Sequence, residues 1–381
     1  MIPPILLGLL AACVGFTSTF AVVLAGLAQM GASPEQAASG LFAVTLAMGL
    51  LGVLLSFRLR MPVSIAWSTP GAALLAASAA PSGGFPAAVG AFLFASALLG
   101  LAGLWRPLAR AVAAVPGPVA HAMLAGVLLD LCLAPARAVA EIPWLALPVV
   151  VLWLVMLRLA RLWAVPAAVA LSVVLILLAA PPAPGWAAGF GPAPVLVLPA
   201  FDAAALIGIG LPLFLVTMAS QNVPGLAVLA ANGYRIEPGP IFLATGAASA
   251  ASAALGGHLV NLAAITAALC AGPEAGADPA RRCIAGAVAG LTYVVFALLA
   301  GAAAALAAAA PPLLIQAVAG LALMTSLVSA LRGSLEAETL RLPAVLCFVI
   351  TASGLSLGGI GAAFWGLSVG LAAARLLRGR G

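Results

Sequence analysis

Two polar runs interrupt long apolar stretches, and their residue types suit a small organic anion. The first is Thr17-Ser18-Thr19, held between Phe16 and Phe20; the second is Ser220-Gln221-Asn222, just before Pro224. A buried amide or hydroxyl without a partner costs stability. Each run must therefore bond to a neighbouring helix or meet a ligand. Gln221 and Asn222, beside a helix-breaking proline, point to the ligand. A third pattern involves the backbone. Pro62-Val63-Ser64-Ile65-Ala66-Trp67-Ser68 reads as extended chain, and Thr69-Pro70 then reads as a helix N-cap with proline in the first turn. Val260-Asn261-Leu262-Ala263-Ala264-Ile265-Thr266 repeats it, with a short helix expected to run on to Gly272. Free N–H groups and positive dipole ends at two such helix starts suit a carboxylate that lacks a full basic partner. The competing reading is a pair of kinks satisfied by neighbouring hydroxyls.

These patterns nominate Phe16, Thr17, Ser18, Thr19, Phe20, Trp67, Ser68, Thr69, Ser220, Gln221, Asn222, Asn261, Ile265 and Thr266 as substrate-binding residues. Trp67, beside the first break, is the best placed to pack on a flat ring. Three residues are candidates for proton coupling: His258, directly before the second break, and the carboxylates Asp202 and Asp130 at or inside span ends. His121, the other histidine, reads as structural. Cys13, Cys132, Cys270, Cys283 and Cys347 are scattered through apolar sequence with no metal-ligand spacing and no disulfide framework, so neither a metal nor a cofactor is expected.

The elements that must position these residues lie in a membrane. Of 381 residues, 65% are hydrophobic and 6% charged, against about a quarter charged in a soluble domain. A spanning helix takes about 20 apolar residues. Long apolar runs fall near 5 to 29, 36 to 57, 86 to 105, 118 to 136, 143 to 159, 164 to 180, 202 to 231, 239 to 255, 283 to 309, 312 to 331, 342 to 358 and 361 to 377. Met61 to Ala79 and Leu262 to Ala271 complete fourteen spans as discontinuous ones. The N-terminal stretch lacks the basic region of a cleavable signal and is expected to be retained. With both termini cytoplasmic, every arginine except Arg137 falls inside, as the positive-inside rule asks. The net charge of +6 is thereby explained by anchoring at a membrane face, and no nucleic-acid partner is expected.

The halves echo each other. Ser18 and Gly31 are matched by Ser220 and Gly233, and Pro118 with Ala125-Gly126 is matched by Pro312 with Ala319-Gly320. Seven spans per half is an odd number, so the expected fold is an all-α membrane protein of two inverted repeats of seven, with spans 3 and 10 discontinuous.

Along nearly its whole length the sequence resembles the benzoate/proton symporter family. The resemblance is carried by Gly15 to Ala21, Met61-Pro62 with Ala66 to Ala72, Thr217 to Gly225, and Gly256-Gly257-His258 with Asn261 to Ala267. Further matches are Gly272 to Ala275 with Asp278-Pro279, and Thr351 to Gly354 with Ala363 to Gly366. It implies the architecture of nucleobase permeases and anion exchangers, with a core domain of residues 1–115 and 201–310 and a gate domain of 116–200 and 311–381. It also implies proton-coupled uptake of benzoate or a related aromatic carboxylate at the bacterial inner membrane, with a homodimer by analogy with the architecture; no paired acids or histidine-rich metal site stands in the spans, so an enzyme is not expected. Nucleobase permeases of this architecture resemble a design with an acid in span eight, where Gln221 and Asn222 stand here. A carrier of another small anion or nucleobase, and an uncoupled facilitator, are the alternatives.

Overall fold

The computed structural model describes residues 2–179 and 191–377. The outer connection expected at Pro181 to Trp186, together with Arg378 and Arg380, lies outside the described residues. Hydrophobic residues make up 65% of the chain, and it answers with helices, because in an apolar medium backbone groups must be satisfied within the segment. In chain order these are α1 (Ile2–Gln29), α2 (Pro34–Leu59), α3 (Thr69–Ala77), α4 (Gly84–Leu104), α5 (Arg106–Ala113), α6 (Gly117–Glu141), α7 (Pro143–Leu159) and α8 (Ala164–Ala179). Next comes one continuous helical run, Ala203–Ala231. It is assembled from α9 (Ala203–Ala205), α10 (Leu211–Thr217) and α11 (Val223–Ala231), joined by π turns at Leu206–Gly210 and Met218–Asn222. Then follow α12 (Pro238–Ala253), α13 (Ile265–Ala271), α14 (Cys283–Leu298), α15 (Ala300–Ala309), α16 (Pro312–Ser334), α17 (Arg341–Ala352) and α18 (Ala362–Leu377). Eight helices among the described residues are long and apolar enough to cross a membrane. Strands β1 (Ile65–Trp67) and β2 (Val260–Leu262) make a two-stranded antiparallel sheet.

Three boundaries differ from the sequence expectation. The run expected over 342 to 358 is helical only to Ala352, because Gly354, Gly358 and Gly359 take left-handed φ values of 67°, 61° and 76° in the turn that follows. The run over 283 to 309 is broken at Leu299, where φ is −98° and ψ 5°. The cap of α3 is Ser68 rather than Thr69. The π turns have a plain cause. Each precedes a proline, Pro212 or Pro224; proline supplies no N–H and crowds the carbonyl a turn back, which a widened turn relieves.

Close approach of backbones holds the helices together. A Cβ at Gly49 of α2 would come within 2.7 Å of the Gly290 carbonyl of α14. Only a residue without a side chain allows that contact.

Candidate functional site

The interior is organised around β1 and β2. Ile65 pairs with Leu262, Ala66 with Asn261 and Trp67 with Val260. The ladder continues at both ends, Ser68 N donating to Leu259 O at 2.8 Å and Ala263 N to Ser64 O at 2.9 Å. Both strands then turn into half-helices, α3 and α13.

Ser68 is the hub. Its hydroxyl accepts from Gly71 N at 3.1 Å, capping α3, and lies 2.7 Å from Thr217 Oγ1 of α10. Its carbonyl is 3.2 Å from His258 Nε2. A carbonyl only accepts, so Nε2 carries the hydrogen and the opposite nitrogen, Nδ1, presents a lone pair. That Nδ1 is buried and has no hydrogen-bond partner among the described residues. On the second strand, Asn261 Nδ2 donates to Leu262 O at 2.7 Å, while its Oδ1 is buried with no partner among the described residues. Ser64 Oγ and Thr266 Oγ1 meet at 2.7 Å and link the two strand-to-helix segments.

The π turn at Met218–Asn222 grips this frame from the side. Asn222 is wholly buried, its Oδ1 accepting from Leu262 N at 3.0 Å and its Nδ2 lying 3.4 Å from Met218 Sδ. Ser220 donates back to Val216 O. Gln221 is half-buried and makes no hydrogen bond to the described residues. Asn222 is thus committed to the Leu262 amide and the Met218 sulfur, and within this turn Gln221 is the amide with no hydrogen bond to the described residues.

From α1, Phe16 reaches the frame and sits 5.5 Å from Trp67, 5.6 Å from Phe20 and 4.9 Å from Phe296 of α14, centroid to centroid. Trp67 Nε1 donates to Thr19 Oγ1 at 2.8 Å, and Thr19 donates to Gly15 O at 3.0 Å. Thr17 bonds back to Cys13 O at 2.7 Å. A Cβ on Gly15 would lie 3.2 Å from Thr266 Cγ2 and overlap the Tyr293 hydroxyl, so glycine is required where α1 crosses the start of α13. Ser18 and Thr69 are half-buried and make no hydrogen bond to the described residues. The side chain of Ile265 lies outside the described residues.

The nominated residues of α1, β1, the π turn, β2 and α13 therefore converge, but Thr17, Thr19, Ser220 and Asn222 use their polar atoms on the protein itself. The two carboxylates lie elsewhere. Asp202 caps α9, Oδ2 accepting from Ala205 N at 2.9 Å, and Asp130 pairs with Arg137 at 2.8 Å on α6. Ser64, Thr217 and Phe296 join the site without having been nominated. Ser64 and Thr217 stand inside polar motifs and were legible there; Phe296 is one phenylalanine among 14, and nothing in its neighbourhood marks it.

This arrangement can hold a flat ring against aromatic faces and an anionic group near the start of α3. A profile of the family described as Benzoate membrane transport protein matches residues 1–376. Inner membrane protein YdcO of Escherichia coli (strain K12) is 37% identical over 369 residues, covering 97% of this chain and 94% of that protein. The Benzoate membrane transport protein of Acinetobacter baylyi (strain ATCC 33305 / BD413 / ADP1) is 30% identical over 370 residues, covering 96% and 93%. Among solved structures, the transmembrane domain of the cyanobacterium bicarbonate transporter BicA superposes with TM-score 0.62 at 15% identity, covering 98% of this chain and 97% of that one. The murine Solute Carrier 26 family member A9 (Slc26a9) anion transporter, in its inward-facing state, gives TM-score 0.59 at 13% identity, covering 99% and 68%. These two likenesses concern the fold alone. The chain belongs to the benzoate membrane transport protein family, a family of membrane transporters and not of enzymes.

Proposed function

We propose that the protein carries benzoate or a related aromatic carboxylate, together with a proton, across the bacterial inner membrane by alternating access. Fourteen spans in two inverted repeats of seven, with both termini cytoplasmic, form the core (1–115 and 201–310) and the gate (116–200 and 311–381). The starts of α3 at Thr69 and α13 at Ile265 are 196 residues apart, close to the shift of 194 between Pro118 and Pro312, and this supports the repeat.

The observation that carries the reading is the junction of an aromatic cluster with a capped half-helix start, with no arginine or lysine among the described residues that line it. The ring lies against Phe16, Phe20, Trp67 and Phe296. The carboxylate lies at the first turn of α3, near Thr69, with Gln221 and Ser18 as further donors. Partial positive charge at a helix start holds an anion without the desolvation cost of a buried arginine.

Proton coupling follows from His258. Its Nε2–H is spent on the Ser68 carbonyl, so a proton can be added only at Nδ1. The resulting imidazolium stands behind the α3 start and adds positive charge to it. Proton and carboxylate then strengthen each other's binding by the same factor, as linkage requires. Asp202 and Asp130 remain the alternative proton carriers.

The test is uptake into proteoliposomes. An inward proton gradient should drive benzoate above equilibrium, and His258→Gln should leave equilibration but abolish accumulation. Equilibration without accumulation in the wild type would favour an uncoupled facilitator. Binding of bicarbonate or a nucleobase in place of benzoate would move the substrate to another class on the same fold.

A further inference from the structure

Helix α6 carries a face on which residues recur at steps of four and three: Val119, Met123, Gly126, Asp130, Leu133 and Arg137. The lower part of this face is packed. A Cβ on Gly370 of α18 would lie 2.9 Å from Val119, and one on Gly126 would lie 2.7 Å from Thr351 of α17. Met123 borders Leu215 and Ala219 of the helical run that carries Ser220-Gln221-Asn222. One turn beyond Gly126 the packing stops, because α17 ends at Ala352 and residues 353 to 359 form an exposed turn. On the uncovered part stand Asp130 and Arg137, with side chains 64% and 49% exposed, joined at 2.8 Å.

Depth makes this pair unusual. Asp130 lies about 20 Å along the helix from Gly117, within a hydrocarbon layer about 30 Å thick. Arg137 stands two turns further out, and an arginine at that level facing lipid would stretch outward to the headgroups. Its guanidinium instead reaches back toward the membrane centre to meet Asp130. An exposed carboxylate at the depth of Asp130 is costly against acyl chains, while Arg137, about 30 Å along the helix from Gly117, stands at the outer edge of that layer.

We propose that the outer half of α6 lines an aqueous recess above the central site and that Arg137 is a recruitment site for the incoming carboxylate, with Asp130 as the internal competitor for its guanidinium. The proposal rests on the sidedness and transport reading given above. A substrate carboxylate exchanges with Asp130 for the same donor at the outer end of this face. Glu141, exposed one turn beyond Arg137, keeps the mouth from binding the anion too tightly.

The test separates the recess from the substrate. In Leu133→Cys, the rates of modification by anionic methanethiosulfonate ethylsulfonate and its cationic trimethylammonium analogue, added outside, are compared with the parent protein, whose own thiols set the background. Both reagents should react. Arg137→Gln should lower the anionic-to-cationic rate ratio about tenfold, and Asp130→Asn should raise it. Where Leu133→Cys inserts poorly, Ala140→Cys on the same exposed side gives the same readout. Benzoate uptake by the same charge variants should show KM rising for Arg137→Gln and falling for Asp130→Asn. Modification only by a membrane-permeant maleimide, or ratios that move the same way in both variants or not at all, would overturn the recess. If the ratios move as stated while the wild type takes up no benzoate, the recess stands and the substrate assignment fails.

Discussion

Half-helix α3 carries its own cap in Ser68, places Pro70 in its first turn, and at its far end Ser78 donates to Leu74 O at 2.7 Å. Half-helix α13 has Ala264 at the N-cap position with no side-chain cap, and its supports come from elsewhere in the chain. Asn222 of the π turn holds Leu262 N on the strand before it, Ser64 of the opposite strand meets Thr266, and Arg282 donates to Ala271 O at 2.8 Å and Gly276 O at 2.7 Å beyond its end. Residues that cap themselves keep their geometry when neighbours move; residues capped by neighbours follow them. Under the alternating access proposed above, α3 is suited to be the fixed half of the proposed site and α13 the adjustable half.

The largest expected effect is at the far end of α13. Arg282→Met keeps the aliphatic stem but removes charged donors from two carbonyls and from the negative end of the helix, and should cost about 3 kcal/mol. Thermal unfolding in detergent, with hydrogen exchange read separately on α13 and α3, measures this. Equal loss of protection in both helices would break the contrast. Asn222→Ala comes next, at about 2 kcal/mol, because the buried Leu262 N–H is left without its acceptor. Its exchange signature should appear at Leu262 and in α13. The smallest change is Ser68→Ala, where a lost cap costs about 1 kcal/mol, with Gly71 as the amide that loses protection. If Ser68→Ala proves more damaging than Arg282→Met, α3 is the dependent half.

The sequence alone marked the strand-to-helix breaks, since Pro62, Pro70 and the polar residues around Trp67 and Asn261 have no business in an uninterrupted span. It also marked the runs at Thr17-Ser18-Thr19 and Ser220-Gln221-Asn222. It could not say which polar atoms are spent locally. Thr17, Thr19 and Ser220 all bond back to a carbonyl four residues earlier, a habit of hydroxyls in helices that leaves no trace in composition. The capture of Leu262 N by Asn222 depends on the widened turn before Pro224, and π geometry is invisible to hydropathy. Asp130 was legible as an acid within a span, but its pairing with Arg137 required the side chains to be placed.

The central claim is that the α3 start recognises a carboxylate while the aromatic cluster recognises its ring. Equilibrium binding of benzoate, its neutral isostere benzamide, and acetate to the wild type, Thr69→Val and Trp67→Ala tests it directly. Benzoate should bind more tightly than benzamide, and Thr69→Val should weaken benzoate by about 1 to 3 kcal/mol if its hydroxyl meets the anion. Trp67→Ala should penalise benzoate more than acetate, because it removes ring contact rather than charge stabilisation. Benzamide binding as tightly as benzoate to the wild type, together with normal benzoate binding by Thr69→Val, would contradict the claim.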